Sequence, residues 1–359
     1  MRVAILLCLL FIRNGEGLDL VQDTEASGYS MQVHQLHSED GYILIMHRIP
    51  YGKDETKTGP VVRQKPPVLL MHGIMGSSAD FVNQGPKSKF AFVVADAGFD
   101  VWLGNARGNP YSRAHSILDP DNSSADFFNF SWEEVAIYDV RAMVDYILGA
   151  TSSPQIRYIG DAEGGTWFLI LNILKPEYNK KFQMAQLLDP VGYTKYFPSE
   201  ELKLVADMIE PLYTYAQELG IAEISSLNIQ ENVTEIRVTG QVALQSIVSY
   251  IASLGGYRSM GTSLKQLVHL AQNIRDQSFR SWNYGEKINK QIYGAKSPAR
   301  YDLSQVTVYT VLYYRKNNIF VHENDVKEMA LNIKNAIAIE INGTYSEIDF
   351  VDIARTTIE

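Results

Sequence analysis

"RYIGDAEGGTWF", residues 157–168, decides how this chain is read. A short run with Ile, Tyr and Arg ends at Gly160, and Asp161, Ala162 and Glu163 follow. Gly164 and Gly165 then open the apolar run "TWFLIL". Periodicity and the glycines predict a strand, a sharp turn and a helix. With serine at its centre, such a G-x-x-x-G turn lifts a nucleophile above a sheet. Here the centre is Ala162.

Outward from the turn, the chain alternates strands and helices. "YSMQVHQLHSEDGYILIMHRIP" (29–50) alternates apolar and polar residues about "SEDG", which predicts a β-hairpin. "PPVLLMHG" (66–73) reads as a buried parallel strand, residues 90–98 as a helix stopped at Gly98, and "FDVWLGN" as the next strand. In residues 131–150, Val135, Val140, Met143, Val144, Ile147 and Leu148 keep helical spacing behind a Ser131/Glu134 capping box. A helix is expected from Gly165 to about Leu174, and a strand in "QMAQLLDP" (183–190). From Pro190 to about 300 only helical stretches are expected. The alternation resumes with a strand over 306–314, a helix around 324–333 and a strand over 336–341. An interrupted βαβ rhythm predicts an α/β fold, a mostly parallel sheet flanked by helices with a helical insertion. The expected divisions are 1–17, a leader; 18–190, the first part of the core; 191–300, the insertion; and 301–359, the last strands and helix.

The opening "MRVAILLCLLFIRNGEG" has a positive start, an apolar run and small residues after it, which predicts a cleaved secretory signal. No run approaches the roughly 20 apolar residues of a membrane span. Cys8, the one cysteine, lies in that leader, so no disulfide is expected after cleavage. Sequons at Asn122, Asn129, Asn232 and Asn342 predict N-glycosylation. The formal charge is −9, and it becomes −10 without the leader, since two positives and one negative leave. An acidic surface argues against nucleic acid or anionic lipid as partner, though not against neutral lipid.

The motifs then become specific. "HRIPYGK", "PPVLLMHGIMGSSADFV", "FVVADAGFDVWLGNARGNPYSRAH", "FSWEEVAIYDVRAMVDYIL", "YIGDAEGGT", "DPVGYTKY", "GTSLKQLVHLAQ" and "YDLSQVTVYTVLYY" occur in this order. Together they resemble the acid lipase family of gastric and lysosomal lipases and their insect relatives, over nearly all of the chain after the leader. The resemblance implies an α/β-hydrolase core, with residues 191–300 as the cap. It also implies hydrolysis of acyl esters of glycerol or sterol. Such chemistry needs a hydroxyl nucleophile, a base, a carboxylate to orient the base, and N–H donors for the oxyanion.

Position by position, the match departs from that pattern. The family's G-H-S-Q-G reads Gly160-Asp161-Ala162-Glu163-Gly164, so alanine stands in the serine's place. The family's acid, in a motif like Y-Y-G-x-N-D-x-L, falls on Asn318 of "YYRKNNIFV". Its histidine, in a motif like N-H-x-D-F, falls on Glu347 of "YSEIDF", with Asp349 and Phe350 keeping the register. The oxyanion donors would be the backbone N–H groups of Ile74 and Glu163, and the Glu163 carboxylate would oppose negative charge there. His72 and Gly73 belong to the oxyanion turn, His72 with a structural role.

Replacement chemistry is disfavoured. Asp161 precedes the apex and leaves the turn in another direction, and Glu347 as a base on water has no nucleophile or histidine opposite it. Asp161, Glu163 and Glu347 together would form an acidic pocket for a cation, although no hard-ion loop motif accompanies them. His322 reads as a helix-start residue. No zinc-type histidine pair or nucleotide-binding glycine motif occurs, so no metal or cofactor is expected. Three readings remain: a secreted pseudoenzyme that binds a lipid or other apolar ligand, a lipase or carboxylesterase with residual or rerouted hydrolysis, and a structural or storage shell whose pocket is filled by Trp167, Phe168 or Phe320. Extracellular and lysosomal locations both fit the leader, and the oligomeric state is open.

Overall fold

Why these segments form a sheet is visible in their burial. The computed structural model describes residues 20–53, 55, 65–83, 88–224 and 261–341. β3 (Pro67–Met71) and β4 (Asp100–Leu103) are buried at every position, as strands covered on both faces must be. The hairpin forms from β1 (Gln32–His37) and β2 (Tyr42–Ile49), paired antiparallel across the "SEDG" turn. The short β5 (Ala114–His115) also pairs with β2. Next come β6 (Ile156–Asp161) and β7 (Phe182–Leu188). After a helical excursion the sheet is completed by β10 (Thr310–Arg315) and β11 (Ala336–Ile341). The strand order is β1-β2-β4-β3-β6-β7-β10-β11, parallel from β4 onward and antiparallel at the hairpin end.

The excursion between β7 and β10 contains helices Glu200–Glu218, Leu264–Arg275 and Glu286–Ile292. It also contains a two-residue pair, β8 (Glu223–Ile224) with β9 (Thr262–Ser263), where only helices were expected. This insertion is tied down by polar contacts. His269 lies flat on Trp132, with ring centres 4.3 Å apart. Its Nε2–H donates to the Arg280 carbonyl at 2.9 Å, which leaves Nδ1 to accept the Ser131 hydroxyl at 2.7 Å. Ser263 Oγ donates to the Phe128 carbonyl at 2.6 Å, and Arg113 pairs with Glu223 at 2.8 Å.

Three boundaries differ from the sequence reading. The strand expected over 306–314 begins at Thr310, after a 3-10 turn at Leu303–Gln305. The helix expected from Gly165 begins at Glu163. The helix over 131–150 runs to Thr151 and passes through a π turn at Val135–Val140. Its start is as expected, with the Glu134 carboxylate accepting the Ser131 N–H at 2.7 Å.

The π turn coincides with a buried charge cluster. Asp139 accepts the Arg107 backbone N–H at 2.9 Å and the guanidinium at 2.6 and 2.8 Å, and Asp40 binds the same guanidinium at 2.6 and 2.9 Å. Burial alone would weaken the Arg107 cation, but the two carboxylates hold it firmly charged. The "GNARGN" loop is thereby fastened to the helix behind β6. Removing one partner of a buried pair strands the other, so Asp139→Asn should cost about 3 kcal/mol in urea unfolding. A loss below about 1 kcal/mol would contradict this role for the cluster.

Candidate functional site

The turn after β6 is built by close backbone approach. Ala162 adopts φ 47°, ψ −112°, a conformation that non-glycine residues rarely adopt and that costs about 1–3 kcal/mol. It is held by its N–H on the Leu188 carbonyl at 2.9 Å and by its own carbonyl on the Gly165 N–H at 3.0 Å. Gly160 and Gly164 make the turn possible. A Cβ at Gly160 would lie 2.6 Å from Gly165 N, and one at Gly164 would run into the Met71 carbonyl. The geometry presents residue 162 at the end of the strand, and its side chain is a half-buried methyl group.

Facing it is the turn after β3. His72 is buried, and the Ala106 N–H donates to its Nε2 at 3.1 Å. Its Nδ1 therefore carries the proton and donates to the Gly73 carbonyl at 2.6 Å. Burial pushes the imidazole down to about 4, so the ring is neutral and braces the turn through its two hydrogen bonds. Gly73 also accepts the Gly76 N–H at 3.1 Å, which closes the turn and aims the Ile74 N–H toward residue 163.

Glu163 takes that N–H. Its Oε2 accepts from Ile74 N at 3.0 Å. One of the two donors expected to face an oxyanion is thus engaged by a side chain that is only 3% exposed. The missing side chain of Gly73 leaves room for it, since a Cβ there would lie 3.3 Å from Oε2. Burial pushes the Glu163 carboxyl up to about 7, and Asp161 adds to the rise while the Ile74 N–H opposes it. Asp161 itself is buried at the end of β6.

The other positions lie elsewhere. Asn318 Oδ1 accepts the Phe320 and Val321 N–H groups at 2.8 and 3.3 Å, forming an Asx turn after β10. It lines a cavity of about 580 Å³ with Tyr196, Phe197, Lys203, Arg315 and His322, and Ala162, Ile74 and Glu163 are not in that wall. His322 caps the helix Glu323–Asn332 by accepting the Asn324 N–H at 3.1 Å. Glu347, Asn232, Asn342 and the leader lie outside the described residues. Asn122 and Asn129 are exposed, bonded to Asp119 at 2.8 Å and to Lys265 at 3.0 Å.

Among the described residues, no group of three or more His, Cys, Asp or Glu side chains is arranged to hold a metal ion, and no helix is long and apolar enough to cross a membrane. Phe168 packs at the helix–sheet interface, 4.9 Å from Tyr158 and 5.0 Å from Phe182. Trp167 sets its edge against His72, with ring centres 5.8 Å apart, and Phe320 is half-buried. The sequence reading missed that the Glu163 side chain occupies the Ile74 N–H, and it gave Trp167 no polar role. Trp167 is 1% exposed, and its indole N–H has no hydrogen-bond partner among the described residues.

The raised Glu163 carboxyl links stability to pH. In the unfolded chain it loses its proton near 4.5, and in the folded chain near 7, so between those values the folded state binds more protons. Its contribution to stability therefore falls as pH rises through that window and is constant above it. Comparing native protein with Glu163→Gln by urea unfolding at pH 4.5 and 8.5, the native protein should lose about 3 kcal/mol relative to the variant. A pH-independent difference would contradict the burial of an ionisable carboxyl at this point.

A family model described as "Partial alpha/beta-hydrolase lipase region" matches residues 20–85, and one described as "alpha/beta hydrolase fold" matches residues 66–220. Lipase 1 of Drosophila melanogaster is 36% identical over 86% of this chain and 69% of its own length. Gastric triacylglycerol lipase of Rattus norvegicus is 30% identical over 90% of this chain and 85% of its own. A solved structure of DcsB in complex with a substrate analogue superposes with a TM-score of 0.53 over 92% of this chain and 98% of that one. At 13% identity, that likeness bears on the fold alone. The motifs, the sheet order and the full-length relatives agree: the chain belongs to the acid lipase family, on an α/β-hydrolase fold.

Proposed function

We propose that this protein is a secreted, catalytically silent member of the acid lipase family that holds a lipid or other apolar ligand at the inherited acyl site. The observation that carries the reading is the Glu163 carboxylate on the Ile74 N–H at 3.0 Å. Acyl transfer develops negative charge where that carboxyl sits, so the reaction would meet an occupied Ile74 N–H and, above pH about 7, a like charge as well. Ala162 supplies no nucleophile, and loss of the nucleophile alone removes about a millionfold in rate. In this reading Asn318 and Glu347 stand where the acid and histidine were, and no metal or organic cofactor is required. Exposed Asn122 and Asn129 fit glycan carriers on a secreted chain. Phe168 belongs to the helix–sheet interface, which counts against a shell whose site it fills.

The names of the relatives favour a second reading, ester hydrolysis, and one experiment separates the two. Hydrolysis of a short-chain fluorogenic acyl ester is measured from acid to neutral pH for the native protein. Beside it run Ala162→Ser/Asn318→Asp/Glu347→His and the same variant with Glu163→Gln added. The native protein should be silent. Turnover should appear fully only with Glu163→Gln, the triple variant lagging by about a hundredfold to a thousandfold, the usual cost of an oxyanion donor. Hydrolysis by the native protein that survives repurification would overturn the reading.

A further inference from the structure

We propose that a second cavity, between the segment after β7 and the loop after β10, binds a small aromatic carboxylate. The inference is independent of the function proposed above, because the wall of this cavity includes neither Ala162, Ile74 nor Glu163. Its volume, about 580 Å³, lies within the roughly 300–1,000 Å³ of small-molecule sites. What it offers a ligand follows from which hydrogen-bonding atoms of its wall are already used.

The polar wall is rich in donors because its acceptors are spent inside the chain. Asn318 Oδ1 takes the Phe320 and Val321 N–H groups, which leaves the two N–H bonds of Nδ2, and no described residue accepts them. His322 Nδ1 takes the Asn324 N–H, so Nε2 carries the proton, and no described residue accepts that one either. Lys203 and Lys316 line the same cavity. They donate to Glu200 and Glu340, each at 2.8 Å, and an ammonium has three N–H bonds to give. Two carboxylates also face the cavity, Glu200 and Glu323, but Lys203 holds the first and Lys327 holds the second at 3.3 Å. Arg315 is held by Asp189 at 2.7 Å. With each of these cations paired, the wall has no surplus charge for a dianion, and its remaining N–H groups select the ligand. A single carboxylate matches them, since its oxygens only accept, and charge-assisted bonds to it are about twice as strong as neutral ones.

The rest of the wall sets the body of the ligand. Phe197 and Val321 are buried beneath the cavity, and the Tyr196 ring leans on His322 with ring centres 5.7 Å apart. Tyr196 is fixed at its backbone, where its N–H donates to Asp325 at 3.0 Å. A planar ring packs against such an edge of aromatic side chains. Residue 318 decides the head group. Aspartate in that place could accept the same two N–H bonds and keep the loop, but it would face the cavity with acceptors and a negative charge.

Isothermal titration calorimetry of the full chain with phenylacetate at pH 7.5 tests the proposal, with phenylacetamide and inorganic phosphate as comparisons. Phenylacetate should bind saturably at one site. Phenylacetamide lacks the charge, and phosphate lacks the ring and carries a second charge. Each should bind at least about tenfold more weakly, the loss of one hydrogen bond to a charged group. Asn318→Asp should weaken phenylacetate by about tenfold or more. His322→Ser, which keeps a helix-capping oxygen and removes the Nε2–H, should weaken it several-fold. Methyl palmitate should not displace phenylacetate. Circular dichroism checks each variant, and His322→Ser keeps the test decisive if Asn318→Asp fails to fold. No saturable binding of phenylacetate, equal affinity for phenylacetamide or phosphate, or an affinity unchanged by both substitutions overturns the inference and leaves the reading of the turn at Ala162 untouched. Displacement by methyl palmitate would mean one shared site and overturns it as well.

Discussion

The hydrogen bond from the Ile74 N–H to the Glu163 carboxylate, 3.0 Å long, joins two turns that lie 89 residues apart in sequence, and the site is arranged around it. On one side, His72 and Gly73 shape the turn that aims the N–H. On the other, Gly160 and Gly164 let the strand and helix meet closely enough for Ala162 to take its strained conformation. Strain at φ 47° persists only where the surroundings over-determine it. Here they do so although the residue carries a methyl group. The strained turn thus persists with a methyl group at its apex, while the Ile74 N–H beside it is satisfied from within the chain.

Electrostatics divides the molecule in two. At the turn, a carboxyl is buried at the start of a helix, where the N–H groups and the helix dipole favour its anion and the dry surroundings favour its acid. Around it, burial pushes His47 and His72 down to about 4 and His269 to about 3, so the frame is built from neutral imidazoles. Acidification from 6.5 downward must charge those rings or unfold what holds them, so their contribution is present at neutral pH and lost as pH falls through 4 to 3. Glu163 runs in the opposite sense.

Much of this was legible in the chain. Alternating residues about "SEDG" specify the hairpin, continuous apolar runs specify the buried parallel strands, and the glycines around Ala162 specify a tight turn. Each of these is a local rule that the structure does not override. The π turn at Val135–Val140 was not legible, because Asp139 is turned toward Arg107, a partner that no local pattern announces. The same holds for His269, whose stacking on Trp132 and bond to Ser131 fasten the insertion without disulfides. Glu163 stands between these cases. Its charge beside the expected oxyanion position follows from the motif, but its capture of the Ile74 N–H depends on a side-chain path that runs close past Gly73.

Selective 15N-isoleucine labelling tests the central claim most directly, by following the Ile74 amide from pH 4 to 9. If the Glu163 carboxylate sits on that N–H, the Ile74 resonance moves as the carboxylate ionises, with a midpoint near 7, and Glu163→Gln abolishes the movement. An Ile74 resonance that does not titrate, or that titrates near 4.5 with an exposed carboxyl, would mean that the donors are open and that the site is not closed from within.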